Sequence, residues 1–158
     1  MICSESFRNH APANLQAPSS RPDGTHKFSG DFTALVVDDN PGMLKFASAM
    51  LSRLGFAVRT AGEGVEALFE LCQSPSRLVL TDYEMPAING YQLGRRIKAQ
   101  LPDTRVVIMT GRERTAVAEL MRDKNIDGWL FKPFGADELE RLLLRMGLPV
   151  CGGSSRQR

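Results

Sequence analysis

Residues 77–86 read RLVLTDYEMP. Val79 and Leu80 sit in an apolar run suited to a buried strand. The run ends in Asp82, with Glu84 and Pro86 close behind. Burying a charge is costly. A carboxylate at the end of such a run therefore either faces water beyond the strand or belongs to a site. The other strand ends decide between the two.

Working outward from Asp82, apolar runs alternate with helix-periodic stretches. TALVV (33–37), FAVRTA (56–61), RLVLT (77–81), RVVIMT (105–110) and GWLF (128–131) read as strands. PGMLKFASAMLSRLG (41–55) reads as a helix, with Pro41 early and Gly55 closing it. GVEALFELCQ (64–73), YQLGRRIKAQL (91–101), TAVAELMRDK (115–124) and ADELERLLLRMG (136–147) read as further helices. The last has acidic residues in its first turn, as the helix dipole favours. Five strand–helix units in strict alternation predict a parallel sheet with helices on both faces and right-handed crossovers.

Composition fits one domain. The chain has 158 residues, 42% hydrophobic and 24% charged, enough for a proper core. No stretch approaches the roughly 18 apolar residues of a membrane span, and the N-terminus lacks a signal-peptide pattern. Cys3, Cys72 and Cys151 are too few and too scattered for a disulfide framework or a zinc site. Cys72 is expected as a small core residue, and the expected compartment is the reducing cytoplasm. The net charge of +2 comes largely from the ends of the chain. The nearly neutral body gives no electrostatic footprint for nucleic acid. Residues 1–30 lack hydrophobic periodicity and read as a flexible arm. Residues 31–148 read as the folded domain and 149–158 as a flexible tail.

In open parallel sheets, ligands bind outside the carboxyl ends of the strands. The first strand ends in Asp38 and Asp39, the third in Asp82, the fourth in Thr110, and the fifth runs into Lys132. Each has a bland reading alone: an Asp pair or Asn40 as a helix cap, a structural Thr, a solvated Lys. Together they gather three carboxylates, a hydroxyl and an ammonium. Crowded carboxylates need neutralisation, and Mg²⁺ suits a site with few carboxylates and several waters. Asp39 and Asp82 are the expected direct ligands, with Asp38 acting directly or through water. An Asp held among Mg²⁺, a hydroxyl and an ammonium can accept a phosphoryl group as an acyl phosphate. Asp82 is then the nucleophile, and Mg²⁺, Lys132 and Thr110 bind the transferred oxygens.

LVVDDN, LTDYEMPAING, VVIMTG and WLFKPF resemble the receiver domain of bacterial two-component response regulators over about residues 31–148. The resemblance implies a flavodoxin-like, doubly wound five-stranded sheet of order 2-1-3-4-5. It implies phosphorylation of Asp82 by a sensor histidine kinase or phosphotransfer protein. It implies Mg²⁺ held by Asp39, Asp82 and the Glu84 backbone carbonyl with Asp38 assisting, and a cis Lys132–Pro133 bond. It makes Thr110 the switch hydroxyl and places Trp129 at the switching aromatic position, where Tyr or Phe is commoner. It also marks Glu84 and Arg112 as positions that influence acyl phosphate hydrolysis, with an ion pair over the pocket expected. Gly90 is expected to give the MPAING loop its turn.

The function implied is that of a stand-alone phosphoacceptor signalling domain, not a turnover enzyme. A downstream protein target would be engaged through the fourth helix, the fifth strand and the final helix, with no membrane or direct nucleic-acid partner. The alternative is a receiver module of a longer hybrid kinase or multidomain regulator. A further alternative is a haloacid-dehalogenase-like phosphatase, but that family's Asp-x-Asp nucleophile motif is missing from VVDDNPG.

Overall fold

The computed structural model describes residues 32–151. The expected arm over 1–30 lies outside them. Five parallel strands, β1 (Thr33–Val37), β2 (Ala57–Ala61), β3 (Leu78–Asp82), β4 (Arg105–Thr110) and β5 (Gly128–Phe131), form one sheet in the order β2-β1-β3-β4-β5. The expected order is thus observed. Register places Val37 opposite both Ala61 and Thr81, Asp82 opposite Met109, and Thr110 opposite Phe131. The carboxyl ends of the strands therefore finish level with one another.

Four α-helices cover the two faces: α1 (Pro41–Arg53), α2 (Gly64–Gln73), α3 (Gly90–Gln100) and α4 (Ala136–Arg145). Alternate strand residues point to opposite faces. Ala34, Val36, Leu78, Leu80, Val107 and Met109 bury against Ala47, Met50 and Leu51 of α1 and Leu139, Leu142 and Leu143 of α4. Leu35, Val37, Val79, Val106 and Ile108 bury against Ala67 and Leu71 of α2 and Leu93 and Ile97 of α3. The central strands are thus apolar on both sides, as a covered parallel sheet requires.

Local signals set the helix starts. Asn40 caps α1, its side chain accepting the Gly42 N–H at 2.8 Å, with Pro41 in the first turn. Asn89 and Gln92 form a reciprocal capping box at the start of α3. Cys72 is half-buried on α2 rather than a core residue.

The connection between β4 and β5 departs from expectation. The helix expected over 115–124 is absent. Two short 3₁₀ turns, Arg114–Val117 and Leu120–Arg122, stand in its place. Only Val117 is buried in them, so the segment gains little packing to enforce an α-helix.

Candidate functional site

The first residue past β1 is Asp38, and its N–H continues the sheet ladder to the Ala61 carbonyl. The residue is 1% exposed, and its side chain accepts from the Asn40 N–H at 2.9 Å. Asp39, next in the chain, is exposed. Asp82 closes β3 and is 7% exposed. The Lys132 N–H bonds the Thr110 carbonyl, which extends the ladder past β5 and aims the lysine across the sheet edge. Its ammonium bridges Asp38 Oδ2 at 3.2 Å and Asp82 Oδ1 at 2.8 Å. The Lys132–Pro133 peptide bond is cis, as expected.

One carboxylate oxygen from each of Asp38, Asp39 and Asp82 lies within 4.8 Å of the others. Three hard oxygen donors at this spacing fit a Mg²⁺ ion. Burial holds the Asp82 carboxyl above the usual carboxylate range, and the neighbouring Asp38 charge acts in the same direction. Lys132 and the Glu84 N–H oppose the rise without cancelling it. Burial alone would lower the Lys132 ammonium, but its bonds to Asp82 and Asp38 outweigh that and hold it above the ordinary lysine value.

Thr110 is fully buried at the end of β4, and its Oγ1 accepts the Arg112 N–H at 3.0 Å. The Glu84 N–H donates to Asp82 Oδ2 at 3.1 Å. Glu84 Oε1 also takes both Nε and Nη2 of Arg112, each at 2.9 Å, so the expected ion pair forms. Both partners are about half exposed, and the pair adds little stability. Trp129 is half-buried, and among the described residues its Nε1 is buried without a hydrogen-bond partner.

Sequence reasoning missed Tyr83. Its ring centroid lies 5.2 Å from the Arg112 guanidinium and 6.2 Å from the Trp129 ring, tilted by 41° to it. These contacts join the loops after β3 and β4 to β5. An aromatic directly after the strand-end Asp was the available signal. The loop also differs from its expected form. Gly90 does not supply the unusual backbone angle; Ala87 does, with φ of 63°. Gly90 is required for a different reason, because a Cβ there would lie 2.1 Å from the Asp82 carbonyl oxygen.

The response regulator receiver domain family matches residues 34–144. The sensor histidine kinase RcsC of Salmonella typhi is 32% identical over 121 residues, covering 77% of this chain and 13% of that protein. The response regulator MprA of a Mycobacterium species (strain KMS) is 32% identical over 124 residues, covering 77% of this chain and 54% of that protein. The chain thus spans about half or less of these relatives. Among solved structures, the chemotaxis response regulator CheY4 of Vibrio cholerae superposes with a TM-score of 0.67 at 25% identity, covering 73% of this chain and 98% of that one. The response regulator protein TrrA of Thermotoga maritima, in complex with Mg²⁺-BeF, gives 0.66 at 27% identity with the same coverage. Family match, sheet order and the pocket at the strand ends agree, and the chain belongs to the response regulator receiver domain family.

Proposed function

We propose that this receiver accepts a phosphoryl group on Asp82 from a sensor histidine kinase or a phosphotransfer protein, and that the change is read by a downstream protein target. The observation that carries the reading is Lys132 Nζ bridging Asp38 and Asp82 inside a three-carboxylate pocket. Asp39, Asp82 and the Glu84 backbone carbonyl would hold Mg²⁺, with Asp38 assisting. When bound, the ion supplies positive charge to the phosphoryl oxygens.

In the acceptor step an Asp82 carboxylate oxygen forms the new O–P bond. The donor's bond to phosphorus breaks, and the donor keeps that electron pair. The acyl phosphate takes Asp82 from one negative charge to about two. Lys132 already faces that position and offsets the added charge. Thr110 Oγ1 accepts from Arg112, so its own proton remains for a phosphoryl oxygen. The Glu84–Arg112 pair narrows the approach of a hydrolytic water. Trp129, whose ring lies tilted beside that of Tyr83, would follow Thr110 as the switching aromatic. The relatives include a sensor histidine kinase and a response regulator, which supports a donor either in the same polypeptide or separate from it.

The test is labelling with Mg²⁺ and a small acyl phosphate donor, followed by intact-mass measurement. Wild type should gain one phosphoryl group, and Asp82→Asn should gain none. Equal labelling of the two proteins places the nucleophile elsewhere.

A further inference from the structure

The segment between β4 and β5 has the sequence of an α-helix and the shape of something longer. Ala116, Ala118, Glu119, Leu120, Met121 and Arg122 are favourable helix residues, with no Gly or Pro among them. Val117, Leu120 and Met121 fall at helical spacing. Ala118 (φ −56°, ψ −39°) and Glu119 (φ −68°, ψ −38°), which join the two 3₁₀ turns, already lie in the α region. Yet the hydrogen bonds reach three residues back, not four. Ala116 N–H bonds the Glu113 carbonyl at 3.0 Å, Arg122 N–H the Glu119 carbonyl at 3.2 Å, and Asp123 N–H the Leu120 carbonyl at 3.1 Å. Composition and local backbone favour one helix, and something outside the segment opposes it.

Both ends of the segment are tied down. At its start the Arg114 guanidinium lies 4.6 Å from the Phe131 ring centroid. Two residues earlier, Arg112 is bonded to Thr110 and Glu84. At its end Asp123 Oδ2 accepts the Tyr91 hydroxyl at 2.7 Å and faces Arg95 Nε at 3.6 Å. Asp123 Oδ1 takes the Asn125 N–H at 2.9 Å, which turns the chain. A 3₁₀ helix rises about 2.0 Å per residue and an α-helix about 1.5 Å, so the seven 3₁₀ residues of the segment would shorten it by about 3.5 Å on closing into α form. With both ends held, that shortening is blocked.

We propose that Tyr91 on α3 is a latch: its hydroxyl bond to Asp123 keeps residues 114–122 stretched as 3₁₀ turns, and release of that bond lets them close into an α-helix. The carboxylate of Asp123 is stabilised by the Asn125 N–H and then by the Tyr91 hydroxyl, so the latch is a charge-assisted bond. It sits on an exposed, thinly packed segment, where rearrangement disturbs few buried contacts. A 3₁₀ stretch in a helix-forming sequence is the form expected of such a two-state element.

The experiment is backbone NMR on the full chain, comparing wild type with Tyr91→Phe, which keeps the ring and removes the hydroxyl. Expected in the variant are α-type ¹³Cα shifts over 116–121 and proton contacts between residues four apart. Leu120 and Met121 amides, which then acquire acceptors four residues back, should exchange at least about tenfold more slowly. Adding Ala118→Gly to Tyr91→Phe, which penalises an α-helix, should reverse these changes. Contacts that stay three apart in Tyr91→Phe, a loss of helical shifts there, or no reversal by the glycine would each overturn the latch. No phosphoryl donor is used, so the outcome is independent of the acceptor role of Asp82.

Discussion

Ala87 and Gly90 divide the demands of the loop that carries Asp82 into α3. Ala87 holds a left-handed backbone, φ 63°, which costs an L-residue roughly 1–2 kcal/mol. Gly90 instead makes room for the Asp82 carbonyl, and that neighbour is backbone that cannot swing aside. The two positions should therefore respond in opposite directions. Ala87→Gly should stabilise the protein by about 0.5–1 kcal/mol, after the extra entropy of glycine in the unfolded chain is subtracted. Gly90→Ala should destabilise it by about 3 kcal/mol and displace Asp82. Urea melts of both variants, with phosphoryl labelling of Gly90→Ala, check this. Equal and small effects would mean that the loop shifts freely. The sequence alone names Gly90 as the turn residue, because glycine is the usual occupant of a left-handed position. Only the three-dimensional approach of α3 to β3 separates the two roles.

Among the elements, α3 and β4 are joined by a clamp. Asp127 Oδ2 pairs with Lys98 of α3 at 2.7 Å and accepts the Val106 N–H at 2.8 Å, while Oδ1 pairs with Arg105 at 2.8 Å. Lys98 and Asp127 side chains are each 10% exposed. Burial alone would raise the Asp127 carboxyl, but these partners outweigh it and hold it below the ordinary carboxylate value. A carboxylate depressed in the folded state adds stability that is fully present above its unfolded pKa and is lost as pH falls through the folded one. Asp127→Asn strands the Lys98 charge and should cost about 3 kcal/mol at pH 7. The gap from wild type should shrink as pH falls below about 4, where Asp127 of the unfolded chain takes up its proton, and close as pH falls further through the lower folded value. Urea melts at both ends of that range test it, and a gap that stays constant contradicts it. No periodic pattern links Lys98, Arg105 and Asp127, so the clamp was invisible in the sequence. The segment after β4 misled for the complementary reason. Val117, Leu120 and Met121 carry an honest helical period, and the contacts that override it come from Tyr91 and Phe131 on other elements.

For the whole molecule, the sheet and its pocket were legible because both follow from one regularity. Strict alternation fixes a covered parallel sheet, and every strand that ends in a polar side chain delivers it to the same edge. Asp38, Asp39, Asp82, Thr110 and Lys132 needed no tertiary knowledge beyond that. The limits of the folded body carried no such regularity. Beyond α4, Gly147 turns with φ 73° and Leu148 N–H bonds the Leu143 carbonyl at 3.0 Å. Leu148 is 3% exposed in the core shared by α1 and α4, and Val150 packs against the same core. Cys151 N–H then bonds the Leu54 carbonyl at 2.9 Å, beside Gly55. Of the tail expected from residue 149, the first three residues are thus docked across the turn between α1 and β2, and residues 152–158 lie outside the described ones. This stitch joins the stretch after the last helix to the carboxyl end of the first helix, at a distance in sequence of most of the domain. Leu148→Ala should therefore cost about 2–3 kcal/mol, the loss of a buried leucine at a site with some room to relax. The pocket lies at the opposite, carboxyl end of the strands, so phosphoryl labelling per folded molecule should match wild type. Unchanged stability would show that the stretch after α4 rests on the core without supporting it. Lost labelling in a stably folded variant would show that the two ends of the sheet are coupled.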